Sequence, residues 1–179
     1  MLEEKKLKDG THYIIEKMKL SDAVNMIDYL NSIAGESDNL NFGIGDMEFT
    51  IEQQETILKS VLPNELNYFA LAKIDDVVIG NVNFRAGDRP RTRHSGEFGL
   101  SVLKKYWANG IAGELLSGLL IWAQENEFIA KVNLQVREDN ENAIKLYKKH
   151  GFEIEGLLRR TFLIDGIYYN SYQMGKLID

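Results

Sequence analysis

The chain has no cysteine among its 179 residues. Disulfides, thiolate metal sites and thiol nucleophiles are therefore excluded, and a reducing compartment fits. Only two prolines occur, Pro63 and Pro90; they read as a helix stop and a turn residue, not as a linker. No apolar run is long enough to span a bilayer, because the best candidate helix is broken by Gly113, Glu114 and Gly118. No apolar stretch follows the N-terminal Met1-Leu-Glu-Glu-Lys-Lys, so no signal peptide is expected and a cytoplasmic location is. The three histidines, His12, His94 and His150, lack ligand spacing, so no metal site is expected.

Positive charge is missing from one stretch. Between positions 20 and 58 there is no Lys or Arg, but eight carboxylates occur: Asp22, Asp28, Glu36, Asp38, Asp46, Glu48, Glu52 and Glu55. Residues 85–105 reverse the balance, with Arg85, Arg89, Arg91, Arg93, Lys104 and Lys105 against Asp88 and Glu97. The net charge of −6 argues against general nucleic-acid binding. With 44% apolar and 27% charged residues, what is present suffices for one ordinary domain with a core.

Residues 11–18 alternate weakly as a first strand. Ser21 is placed to cap a helix whose apolar positions, from Ala23 to Ile33, follow helical spacing. Residues 35–46 read as a glycine-containing loop. Thr50-Ile-Glu-Gln53 is a capping box for a helix that stops at Pro63. Strands follow at 68–74 and 77–84, joined around Asp75-Asp76. A charged turn at 85–95 leads into a strand at 96–102. The main helix is expected at 110–126, a strand at 128–136, and a helix at 140–150 with Gly151 as its C′ residue. Strands at 152–164 and 167–177 flank Asp165-Gly166, a type I′ hairpin signal. Trp122 and Phe128 read as core. The order β α α β β β α β α β β implies an α/β (α+β) fold: a mixed, mostly antiparallel central sheet with helices on both faces, in a single domain over 1–179.

The most informative segment is the strand at 96–102 running through Trp107-Ala-Asn-Gly-Ile-Ala-Gly113 into an apolar helix. A glycine turn opening a helix aims free N–H groups and the positive end of the helix dipole at one spot, which suits phosphate. Gly110 also reads simply as a sharp strand-to-helix turn. There is no Gly-Lys-Ser/Thr and no Gly-x-Gly-x-x-Gly spacing, so P-loop and dinucleotide folds do not fit. Downstream lies Asn140-Glu-Asn-Ala-Ile-Lys-Leu-Tyr-Lys-Lys-His-Gly-Phe152. Asn140 and Tyr147 are seven residues apart and so share one helix face.

Together these segments resemble the acetyl-coenzyme A site of the GNAT acetyltransferase superfamily, specifically from about residue 96 onward. The family pattern Arg/Gln-x-x-Gly-x-Gly/Ala falls on Trp107, Ala108, Asn109, Gly110, Ile111 and Ala112. Gly110 and Ala112 match, and Trp107 departs. The Tyr-Trp pair and the tail 156–174 resemble the ribosomal-protein N-terminal and polyamine acetyltransferase branch, where the position of Asn170 is commonly Asp.

The resemblance implies an acetyl-CoA-dependent N-acetyltransferase that uses no metal. It would act by direct transfer in a ternary complex, on a polyamine, another small amine or a protein N-terminus. The alternative is a non-catalytic acyl-CoA-binding or regulatory module of the same fold. The cofactor-binding residues it implies are Leu100, Ser101, Val102, residues 107–113 (Trp107 to Gly113, with Ile111 between) and Asn140, which also reads as a helix N-cap. It implies Tyr147 as the acid at the departing sulfur and Glu97 as the base for the amine. Tyr147 alone also reads as a core aromatic, and Glu97 as a strand residue paired with the Arg-rich hairpin. An ordinary phenol near 10 is a weaker acid than a thiol near 8.5, so Tyr147 needs a lowered pKa or a strong hydrogen bond to the thiolate. The first two helices and their loop would wall the acceptor site. The acidic stretch, Glu36 and Asp38 above all, would then attract a cationic acceptor. The arginines at 85–93 read as a solvated hairpin tip, with the 3′-phosphate of coenzyme A or a partner subunit as other contacts. Homodimer formation is left open; neither nucleic acid nor membrane is expected as a partner.

Overall fold

The structure, a computed structural model, describes residues 3–179; Met1 and Leu2, at the start of the segment read above for a signal peptide, lie outside them. Eight strands form one sheet: β1 (Glu3–Lys6), β2 (His12–Lys17), β3 (Tyr68–Ile74), β4 (Val77–Ala86), β5 (Ser95–Val102), β6 (Lys131–Arg137), β7 (Glu153–Ile164) and β8 (Ile167–Leu177). Their spatial order is β1-β2-β3-β4-β5-β6-β8-β7. Every pairing is antiparallel except that of β5 with β6. The helices are α1 (Ala23–Ile33), α2 (Ile51–Val61), α3 (Ile111–Glu125) and α4 (Glu141–Lys149). Among the described residues no helix is long and apolar enough to cross a membrane.

Local chemistry sets most boundaries. Thr50 Oγ1 accepts from Gln53 N at 3.2 Å while Gln53 Oε1 accepts from Thr50 N at 2.8 Å, the reciprocal box that opens α2. Asp165 and Gly166 have φ of 49° and 78°, as a type I′ turn requires. Asp75 and Asp76, at 46° and 66°, do the same between β3 and β4.

Three expectations need correction. The charged segment Glu3–Lys6 is an edge strand preceding the first expected one; edge strands carry charge to discourage further pairing. Asp22, not Ser21, precedes α1, and its Oδ2 accepts from Lys19 N at 2.7 Å. Phe128 is 55% exposed and precedes β6, with the Arg93 guanidinium 5.2 Å from its ring centre; this cation–π contact takes the place of core burial.

The sheet divides two cores. One face carries Val82, Phe84, Phe98, Val102, Val132 and Leu134 against the Leu115, Leu116 and Leu119 stripe of α3 and against Ile144 and Tyr147 of α4. The other carries Phe69, Leu71 and Val78 against Met26, Tyr29, Leu30 and Ile33 of α1 and Leu58 of α2. Beside the second core, Lys73 is buried between Glu16 Oε1 at 2.8 Å and Asp22 Oδ1 at 2.6 Å.

Candidate active site

The parallel pair β5–β6 is short. Only Ser95↔Lys131, Gly96↔Val132 and Glu97↔Asn133 are in register. Beyond Glu97, β5 stays with β4 as far as Val102, and β6 stays with β8 as far as Arg137. The two strands therefore part, and the inner edge of β5 over residues 98–102 has no strand partner among the described residues. At the closed end Asn133 Nδ2 donates to Ser95 Oγ at 2.8 Å and to the Gly96 carbonyl at 3.0 Å. A Cβ at Gly96 would collide with the Arg85 carbonyl and the Phe84 ring, so glycine is what lets β4 and β5 approach there.

The open end carries the glycine turn. Ala108 and Gly110 have φ of 60° and 85°, and Gly110 is the N-cap of α3. This left-handed turn directs the chain into the helix without closing hydrogen bonds on itself. The N–H groups of residues 108–113 find no acceptor among the described residues. They lie at the positive end of a 15-residue helix, an arrangement that attracts anions. A Cβ at Gly110 meets nothing within 4 Å, so conformation rather than crowding selects the glycine. Trp107 stands 47% exposed, and its Nε1 donates to the Val102 carbonyl at 2.6 Å. The indole thus braces the turn against β5. Asn109 Oδ1 accepts from Lys8 N at 3.1 Å, and its Nδ2 donates to the carbonyls of Tyr106 and Trp107.

Strand parity separates the remaining candidates. Phe98 and Val102 are buried toward α3 and α4 with Leu100 packed beside them, so Glu97, Gly99 and Ser101 face the other way. Ser101 Oγ shares a 2.8 Å hydrogen bond with the Tyr29 hydroxyl of α1. Glu97 is exposed and makes no ion pair among the described residues; the surrounding strands push its carboxyl pKa upward by desolvation. Tyr147 is 8% exposed and meets Phe98 edge-on at 5.7 Å. Burial pushes its phenol up to about 12, away from the lowered value that proton donation would favour. Asn140 caps α4, its Oδ1 accepting from Ala143 N at 3.3 Å. That leaves its Nδ2 without an acceptor among the described residues.

The acidic stretch is partly spent inside the protein. Glu36 Oε2 accepts from Lys104 N at 2.5 Å, and the Asp38 carbonyl accepts from Arg137 Nη1 at 2.9 Å. Asp46 Oδ2 accepts from Gly43 N at 2.8 Å. Lys104 follows β5 and Arg137 ends β6, so the loop after α1 is fastened to both strands that flank the gap. Arg137 was missed by sequence reasoning. It is 7% exposed, forked onto Asp139 at 2.9 and 2.6 Å, and stacked on Tyr169 at 3.9 Å. Also missed was the polar row Asn81, Asn83 and Arg85 on β4, legible in its alternation with Val82 and Phe84. The hairpin arginines sit at the other end of β5 from the glycine turn. Eight residues intervene, roughly 25 Å of strand, so Arg89 to Arg93 do not reach an anion held at 108–113.

The chain is similar to known proteins. Over 107 residues the chain is 34% identical to the L-amino acid N-acetyltransferase AaaT of Escherichia coli, the match covering 60% of the chain and 66% of that protein. It is 32% identical over 78 residues to the E. coli spermidine N(1)-acetyltransferase, covering 44% of the chain and 42% of that protein. These matches thus span less than two thirds of either relative. A GNAT-family acetyltransferase structure from Streptococcus pneumoniae superposes with a TM-score of 0.89 at 32% identity, over 93% of this chain and 99% of that one. The model of the Acetyltransferase (GNAT) family matches residues 36–152, from the loop after α1 through both strands of the gap to the end of α4, and the chain belongs to that family.

Proposed function

We propose that the chain transfers the acetyl group of acetyl-CoA to a primary amine, with both substrates bound at once. The observation that carries this reading is the gap beyond Glu97, with the unsatisfied N–H groups of residues 108–113 at its mouth. The N–H row and the α3 dipole suit the diphosphate. The unpaired edge of β5 at Leu100, Ser101 and Val102 suits the amide-bearing arm. Ser101 would contribute its main chain, since its hydroxyl is engaged with Tyr29. With Trp107 braced on Val102, diphosphate recognition rests on backbone N–H groups rather than on a cationic side chain.

In the reaction the amine nitrogen bonds to the acetyl carbon and the carbon–sulfur bond breaks. The amine enters as an ammonium and must first lose a proton. Glu97 accepts it, directly or through water. A carboxylate with a raised pKa is a stronger base. A backbone N–H of β5 stabilises the developing oxyanion, which is worth a few kcal/mol. The sulfur leaves as a thiolate and takes a proton. Full transfer from a phenol near 12 to a thiolate whose acid lies near 8.5 is uphill by about 5 kcal/mol. Tyr147 therefore works as a hydrogen-bond donor to the sulfur, and the second proton, which the nitrogen sheds as the tetrahedral intermediate collapses to the amide, reaches the thiolate through water. Because no cysteine exists to carry an acyl group, rate comes from holding two reactants in line.

The test is thiol release from acetyl-CoA with a panel of primary amines, alongside calorimetric coenzyme A binding. Amine-dependent release is expected. Tight binding without release for any amine would instead mark a non-catalytic acyl-CoA module.

A further inference from the structure

Strand β4 alternates in a way that packing does not call for. Val82 and Phe84 are fully buried toward α3. Asn81, Asn83 and Arg85 share the opposite face, and their exposure rises from 6% at Asn81 to an exposed Arg85. Register sets Ser101, Gly99 and Glu97 beside them on β5. The Asn83 side chain lies over Gly99, where a Cβ would meet its Nδ2 at 3.2 Å. At the deep end the row is closed: Asn81 Nδ2 donates to Ser101 Oγ at 3.4 Å, and Asn83 Nδ2 donates to Asn81 Oδ1 at 3.3 Å.

At the outer end lies a shallow depression, open to solvent, of about 400 Å³ lined by Arg85, Arg91, His94, Glu97 and Asn133 among others. That volume suits a small molecule. The depression meets the gap at Glu97, the last residue paired before β5 and β6 part. Its charges are uncommitted. Arg85 stands directly across from Glu97 in the ladder, yet neither it nor Arg91 makes an ion pair among the described residues. Among the described residues the Arg85 guanidinium has one ring partner, Phe69, at 5.8 Å. Two unpaired guanidiniums beside one unpaired carboxylate complement a ligand that bears an acid group and an amine.

The geometry points to an acceptor that carries a carboxylate close to its amine, a small amino-carboxylate held by Arg85 and Arg91 with its amine toward Glu97. A guanidinium fork matches a carboxylate with two parallel hydrogen bonds. A polyamine would set positive charge against two unpaired arginines, a like-charge contact that disfavours it. Several carboxylates of the acidic stretch are engaged elsewhere, which leaves fewer to offset this: Asp22 with Lys73, Glu36 with Lys104 N, Asp46 with Gly43 N and Glu55 with Lys59. This inference rests on reading the gap as the acetyl-transfer site.

The experiment follows thiol release from acetyl-CoA with the twenty L-amino acids, their amides and their decarboxylated amines, with spermidine added. At least one amino acid is expected to exceed its own amide and amine by tenfold or more in kcat/KM. Arg85→Gln, Arg91→Gln and the double variant should shrink that ratio at least fivefold, mainly through acceptor KM, with Arg85→Lys recovering part of it. An unchanged ratio in folded variants, or amides and spermidine matching the amino acids, overturns the inference and leaves acetyl transfer standing. Absence of release with every amine overturns acetyl transfer. Calorimetry of the amino acids against the wild-type and double-variant proteins, each with coenzyme A, then judges the subsite alone. Binding weakened by the substitutions upholds it, and no binding or equal binding overturns it.

Discussion

Glu97 and Tyr147 reach the gap between β5 and β6 from opposite faces of the sheet. Glu97 faces the α1 side, whereas Tyr147 packs edge-on against Phe98, the next residue along the same strand. A group lying between the parted strands is thus accessible to a base from one side and to a hydrogen-bond donor from the other. In the proposed reaction an acceptor entering on the α1 side would attack away from Tyr147, and the leaving sulfur would depart toward it. This division assigns each residue a separable kinetic signature.

Tyr147→Phe should lower kcat more than it raises KM for acetyl-CoA, by roughly ten- to a thousand-fold, since a donor to the departing sulfur acts in the transition state. With the phenol pushed up to about 12 by burial, the wild type should show no falling limb from this residue below about pH 11. Rates of both proteins across pH 6 to 10 check the point. Equal turnover would leave Tyr147 a packing residue.

Glu97→Gln should flatten the acid limb of the kcat/KM profile. A base must be ionised, and desolvation moves this carboxyl upward. The limb should therefore lie above the ordinary carboxylate value near 4.3, and activity should fall as pH drops through it. A limb that persists unchanged in the glutamine variant assigns it to the acceptor amine instead.

Local chemistry was legible in the sequence, and tertiary placement was not. The Thr50 box, the Asn140 cap, the Asp165-Gly166 turn and the Gly151 C′ position each follow from a residue's own hydrogen bonding or φ. Edge strand β1 has no apolar alternation to reveal it. Phe128 looks apolar until Arg93 is found over its ring. The parting of β5 from β6 has no local signature, because it is a loss of pairing between residues far apart in the chain, as Gly96 and Asn133 are. The polar row on β4 was written plainly in the alternation, but its meaning needed the register that sets Arg85 across from Glu97.

The glycine turn is conformationally selected. Gly110→Val should destabilise the fold by about 1–2 kcal/mol through left-handed strain and should weaken coenzyme A binding. Gly110→Asn should retain most stability, because Asn enters that region more readily. Gly113→Ala meets only ordinary contacts, 3.8 Å to Leu146 and 3.9 Å to His150, and should fold normally. Thermal melts paired with calorimetry separate strain from lost binding.

Lys73→Met should cost about 3–5 kcal/mol, because it leaves Asp22 a buried carboxylate without its cation and Glu16 with Lys19 alone. Lys19 and then Lys73 hold the Glu16 carboxyl below its ordinary range. Its contribution is therefore present above that range and lost as pH falls through the lowered value. Urea unfolding at pH 7 and pH 4 should show the gap between wild type and variant narrowing on acidification.

On the proposed reading of the gap, Arg137 acts as a positioning residue for the acceptor side. Its fork is fixed by Asp139 and Tyr169, and its Nη1 donates to the Asp38 carbonyl, while Glu36 holds the chain just past β5. The loop after α1 thereby bridges the two strands that part. Arg137→Lys keeps the charge and removes the planar fork, so the loop loses its anchor on β6. We expect acceptor KM to rise about three- to tenfold and KM for acetyl-CoA to change less than twofold, since the glycine turn lies on other elements. Asp139→Asn should reproduce the effect in weaker form, because it loosens the same guanidinium from the other side. A parallel rise in both KM values would show that the loop supports the whole gap rather than its acceptor wall.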